Sequence, residues 1–225
     1  MVLVIRPKLL GELKFTASGS GSNSLSTNNC TITGHLSASL GSGDNSFSFS
    51  GTTVGDDLDV SSGGGEDGIS LTGVHVTGRL KVALHGGDNI FTSNDLVVTE
   101  DVRYTGGSGS EGVTLGDASA ASVKLVTGGG DDVCTIVNAT HITGEVRVLT
   151  GGGSDVASCG SITVDGTARW TTGAGDDVVS LSDSTFNADV KISTGSGDDT
   201  ISLPNTTVAG DTDIDSGSGN DTEPP

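Results

Sequence analysis

The chain has 225 residues, of which 29 are acidic and 10 basic, for a formal net charge of −19. Hydrophobic residues make up 32% and aromatics 3%, against 37 glycines; that is poor material for a broad layered core and, with this charge, the usual composition of a disordered chain. The charge disfavours duplex nucleic acid, no apolar run reaches the length of a membrane span, and three cysteines imply no disulfide framework.

The first segment, residues 1–17, opens on MVLVIRPKLLGELKF. It shows no charged leader followed by a long apolar stretch and a small-residue cleavage site, so no conventional signal peptide is visible. Val2, Leu3, Val4 and Ile5, followed by Arg6-Pro7, are too irregular for a repeat and are expected to form an N-terminal cap. Leu13-Lys14-Phe15 reads as the last strand of a partial coil.

From Ser18 the chain repeats. TGAGDDVVSL starts at Thr172 and TGSGDDTISL at Thr194, 22 residues later. Related strings start at Thr150 and Thr127, and weaker copies at Gly106, Leu84, Ser62, Leu40 and Ser18. The spacing is 22 except for one 21 and one 23, and the extra residue is assigned to a bulge at His141. Residues 18–215 are expected to form nine coils, and residues 216–225 a tenth corner with a short tail.

Each repeat opens on a corner. Glycine recurs at positions two and four, where a tight turn needs positive φ or close backbone approach. Positions five and six are acids, amides or Ser. Position six reads Asn23, Asn45, Asp67, Asn89, Glu111, Asp132, Asp155, Asp177, Asp199 and Asp221. Apolar residues then alternate with polar ones at positions eight and ten, a lone apolar column follows at fifteen, and a second alternating pair occupies nineteen and twenty-one. A period of two is a strand period, and β-branched residues with recurrent Gly exclude helix. The expected fold is all-β: a parallel β-helix, a three-sheeted solenoid, right-handed by the crossover rule. Stacking at the strand spacing of about 4.8 Å gives a rod of roughly 45 Å.

Stacked acids one coil apart repel by about 0.9 kcal/mol in bulk water and about 3.5 kcal/mol at an effective dielectric of 20. A column of them calls for protons, salt or a cation, and calcium is the natural oxygen-binding neutraliser. The corners at Thr172 and Thr194 resemble the hemolysin-type (RTX) calcium nonapeptide, G-G-x-G-x-D-x-U-x, with Thr in place of the first Gly. That resemblance implies calcium ligands at Asp67, Asp132, Asp155, Asp177, Asp199 and Asp221, together with corner carbonyls. It covers only the corners. The family carries two motifs per coil and this chain one per 22 residues, so a single column of ions is expected, weaker or absent where Asn23, Asn45 and Asn89 replace Asp. The other reading of these corners is structural, because Asp and Asn also bond nearby backbone N–H groups. The neighbouring Asp131, Asp176 and Asp198 belong to the same edge.

Other columns carry less chemistry. Position nine is always Ser or Thr and position fourteen mostly Thr, which suits cross-strand hydroxyl bonding; flat Thr-x-Thr rows are also what ice-binding solenoids use. Position twenty holds Lys81, Arg103, Lys124, Arg147, Arg169 and Lys191, a row suited to an acidic polysaccharide or to pairing with the acids at position eighteen. Acids and bases recur with the period instead of converging on one singular cluster, and His35, His75, His85 and His141 fall at unrelated positions. The expected function is therefore non-enzymatic: a structural or adhesive repeat protein of the extracellular space or cell surface, calcium-stiffened at its corners, with end-to-end self-association. The alternatives are a carbohydrate- or ice-binding solenoid and a polysaccharide lyase-like β-helix enzyme.

Overall fold

The computed structural model describes residues 2–5, 8–9 and 11–224. Every named element is a strand and every strand pairing is parallel. One coil shows the pattern: Ser46–Ser50, Thr53–Val54 and Leu58–Ser61 form three successive faces. Each residue then pairs with its counterpart one repeat away, as Phe47 does with Leu25 and Ile69. About nine such turns stack into a β-solenoid. No helix occurs among the described residues, and so none is long and apolar enough to cross a membrane.

The three faces are kept, and the first two are joined by hydrogen bonding. Gly68–Val76 and Ile90–Val98 run unbroken across the first two faces and fuse them into one sheet of 18 strands; the third face is a separate sheet of 10. In these two coils Val74 pairs with Leu96 at position thirteen, whereas neighbouring coils carry smaller residues there, such as Thr52 and Ala118. Position twelve is the second corner. Asn29, Asp95, Asp117, Ser161, Asp183 and Asn205 all hold φ between 47° and 59° there, the left-handed region that short polar side chains tolerate.

The five apolar columns point inward as the alternation requires. Leu25, Phe47, Phe91 and Val113 at position eight, Val54, Val76 and Phe186 at fifteen, and Leu58, Val82 and Trp170 on the third face are all buried. Trp170 meets Phe186 edge-on, with ring centroids 5.7 Å apart. Three further columns also point inward. Position thirteen buries Cys30, Thr52, Val74, Leu96, Ala118, Thr140, Ile162 and Ser184; position one buries Thr127, Thr150, Thr172 and Thr194; position six buries acids and amides. Buried hydroxyls find partners within the coil and between coils. Thr27 and Thr52 share a buried hydrogen bond of 2.8 Å, and the Thr140 hydroxyl donates to the Val137 carbonyl at 2.7 Å.

Two expectations are corrected. Val2–Ile5 is not an irregular cap: it pairs in register with the next coil, Leu3 with Leu25 and Ile5 with Thr27, and Lys8–Leu9 continues the coil against Thr31–Ile32. Leu3, Ile5, Leu9, Leu13 and Phe15 occupy the apolar positions of a coil that lacks the Gly-rich corner by which the repeats were recognised. Arg6, Pro7 and Pro225 lie outside the described residues. His141 is not the inserted residue either. It pairs with Ser119 and Thr163 at position fourteen, and the extra residue is absorbed in the turn, where Asn138 and Ala139 both take positive φ.

Candidate functional site

Positions one to six carry the chain from the third face to the first. Gly151, Gly153, Gly173 and Gly175 have φ of 111°, 128°, 115° and 129°. A Cβ on Gly173 would sit 1.8 Å from the Gly151 carbonyl oxygen, and one on Gly175 2.0 Å from that of Gly153. Stacking thus presses each corner against the carbonyls of the corner before it, and only glycine fits.

The two acidic columns of this corner differ in place and direction. Position five is exposed, and each Asp there accepts the backbone N–H of its counterpart one coil onward: Asp131 from Ser154 at 2.8 Å, Asp176 from Asp198 and Asp198 from Asn220 at 2.9 Å. Position six lies inside, and its side chains reach the other way. Asp155 accepts from the Asp132 N–H at 2.9 Å, Asp177 from Asp155 at 2.8 Å, Asp199 from Asp177 at 2.9 Å and Asp221 from Asp199 at 3.0 Å. The backbone-capping role expected of such corners is therefore present at one oxygen of each carboxylate.

The second oxygen has no such role. Oδ2 of Asp67, Asp132, Asp155, Asp177 and Asp199 and Oε2 of Glu111 are buried without a hydrogen-bond partner. The amide at Asn45 shows what surrounds that atom. Its Nδ2 donates to the Gly41 carbonyl at 3.0 Å, to Ser62 Oγ and Asp67 Oδ1 at 2.9 Å each, and to the Gly43 carbonyl. Asn89 Nδ2 likewise donates to the Gly87 carbonyl at 2.9 Å and to Glu111 Oε1 at 3.3 Å. Where position six is Asp, an oxygen replaces that nitrogen in a corner built of acceptors. Burying a carboxylate oxygen without a donor is costly.

Electrostatics follow from this placement. Burial pushes Asp155 up to about 6, helped by the Asp132 and Asp177 charges and opposed by the Thr150 hydroxyl and the Asp132 N–H. Burial raises Asp177 as well, against the Thr172 hydroxyl. Glu111 rises to about 7, chiefly from burial. Burial, and then the Glu111 charge, hold the Tyr104 phenol far above its ordinary range, and its hydroxyl is buried without a partner.

Position one is tuned to position six. Thr or Ser precedes every Asp: Ser62 with Asp67, Thr127 with Asp132, Thr150 with Asp155, Thr172 with Asp177, Thr194 with Asp199. Leu40 and Leu84 precede the amides Asn45 and Asn89, while Ser18 precedes Asn23. Gly106 precedes the longer Glu111, and a Cβ there would lie 2.9 Å from the Glu111 side chain. Glu111, Tyr104 and the position-one hydroxyls are the site residues that pattern reading missed; the pairing of one with six between repeats was the available signal.

The basic row is also continuous in register. Lys81 pairs with Arg103, Arg103 with Lys124, Lys124 with Arg147, Arg147 with Arg169 and Arg169 with Lys191. The expected pairing with position eighteen is found at Arg103–Asp101, 2.9 Å; Asp57 instead pairs with Arg79 at 2.8 Å. The Thr column at position fourteen is interrupted by exposed His75, Val97 and His141. Among the described residues no three His, Cys, Asp or Glu side chains converge on one point, so a cation in the corner would draw on two carboxylates at most and otherwise on carbonyls and hydroxyls. No protein-family profile, curated protein sequence or solved structure matches this chain.

Proposed function

We propose that this chain is a non-enzymatic structural rod of the extracellular space or cell surface, stiffened by calcium along its inner corner ladder. The observation that carries the reading is the exchange of Asn for Asp at position six. At Asn45 a nitrogen donates to four corner oxygens, and from Glu111 to Asp199 that place is taken by carboxylate oxygens with no donor. The chemistry that fills such a place is a proton or a hard cation. The donors there are all oxygen (carboxylate, carbonyl, hydroxyl), the set that calcium prefers and that softer metals do not. Calcium sites of modest affinity fill outside cells, where the ion is abundant. The remaining acids and bases recur with the period, and the position-five acids bond the scaffold, which supports a structural role over turnover.

Calorimetry at neutral pH, with calcium and with EGTA, tests the reading. Calcium is expected to raise the melting temperature by several degrees and to restore it after chelation. An unchanged transition would leave protonation as the means of neutralising the ladder and would reject the calcium reading.

A further inference from the structure

We propose that the outer surface of the third face is a docking row for an extended acidic polysaccharide, a linear polyuronate. Six of the chain's 10 basic residues stand consecutively on one column of a molecule whose net charge is −19, and register stacks all six directly on one another. At the parallel-strand spacing they span about 24 Å. The row is bounded by acid at both ends: Asp59 pairs in register with Lys81, and Asp213 with Lys191.

Internal neutralisation does not account for the row. Within it, Arg103 pairs with Asp101 at 2.9 Å and Lys191 with Asp213 at 2.5 Å. Lys81, Lys124, Arg147 and Arg169 have no carboxylate within 4.0 Å among the described residues. Arg147 Nε is buried with no acceptor at all. Like charges held one strand apart repel, and four of these make no ion pair among the described residues.

The flanking columns select the class of polymer. Three shallow grooves of about 330, 230 and 210 Å³ run along the row. Glu145, Asp189 and Asp211 line their acidic side. A uronate chain carries a carboxylate and free hydroxyls on each sugar: the carboxylates would meet the cations, and the hydroxyls would donate to the flanking acids. A chain of phosphates has no hydroxyls to offer those acids and would be repelled by them. The cations form a single file one strand apart, which suits one extended strand.

The test measures binding of soluble oligogalacturonates, long enough to span the row, by isothermal titration calorimetry. The comparison ligands are the carboxyl-reduced oligomer and single-stranded DNA. The wild-type chain is expected to bind the uronate, with affinity falling as salt rises. The triple variant Lys124→Gln/Arg147→Gln/Arg169→Gln should lose at least tenfold, and Lys14→Gln, separated from the row by Ser37 and Asp59, should stay near wild type. A second measurement needs no variant: bound uronate should protect Lys81, Lys124 and Lys191 from amine acetylation while leaving Lys14 reactive. Absent binding, a triple variant that binds like wild type, or unprotected row lysines would overturn the proposal. Equal affinity for the reduced oligomer or for DNA would overturn the assignment to uronate.

Discussion

At the scale of single residues, the corner is governed by one atom. Asn45 and Asp155 occupy the same place in the repeat, and both accept at Oδ1 a hydrogen bond from the backbone N–H of the preceding coil. They differ in whether the second atom donates. Asn45 Nδ2 serves the Ser62 hydroxyl and the Gly41 carbonyl, while Asp155 Oδ2 is buried with nothing to accept. Replacing a buried orphan acceptor with a donor in acceptor surroundings recovers about 1–3 kcal/mol. Asp155→Asn is therefore expected to stabilise the calcium-free protein by an amount of that order and to shrink the stabilisation that calcium adds. Urea unfolding of wild type and variant, each with calcium and with EGTA, reads both quantities. A variant less stable than wild type in EGTA would show that the acid is already satisfied.

At the scale of one coil, stability rests on shape as much as on burial. Gly173 holds φ of 115° and its missing Cβ leaves room for the Gly151 carbonyl, 1.8 Å from where that Cβ would be. Gly173→Ala combines strained backbone with a clash against immovable backbone, and should cost about 3 kcal/mol or more, the range of severe single-site lesions. Trp170 fills the core against Phe186, and Trp170→Ala should cost about 3–5 kcal/mol through the cavity it leaves. Midpoints of chemical denaturation check both; a Gly173→Ala midpoint near wild type would mean the corners have room to shift. The same coil explains what pattern reading reaches. Columns such as Leu25–Phe47–Ile69 are apolar in every copy, and hydrophobic alternation finds them. Thr150, Asp155 and Thr140 also point inward, but they are polar, so no apolar signal marks them. The coil at residues 2–17 was hidden for another reason: its apolar spacing fits, but its sequence lacks the Gly-Asp corner.

At the scale of the whole rod, the two halves are neutralised differently, and pH should separate them. The N-terminal half alternates amides with one acid, Asn23, Asn45, Asp67 and Asn89, whereas Glu111 to Asp221 is an unbroken run of acids. Asp155 titrates near 6 in the folded chain against an ordinary 3.8, and Glu111 near 7 against 4.5. A raised carboxyl pKa means that the folded state holds protons the unfolded state has released, so stability falls as pH rises between the two values. The contribution is whole below about pH 4 and lost above about pH 7. Without calcium, the melting temperature should therefore drop across that interval; with calcium the drop should shrink, because the ion takes the place of the proton. In a stack where each coil contacts only its neighbours, the loss stays local. Hydrogen exchange in EGTA at pH 8 should show the amides of Asp132, Asp155 and Asp177, donated along the inner ladder, opening before those of Asn45 and Asp67. Uniform protection from end to end under those conditions would mean that the inner acids carry no charge the fold must neutralise.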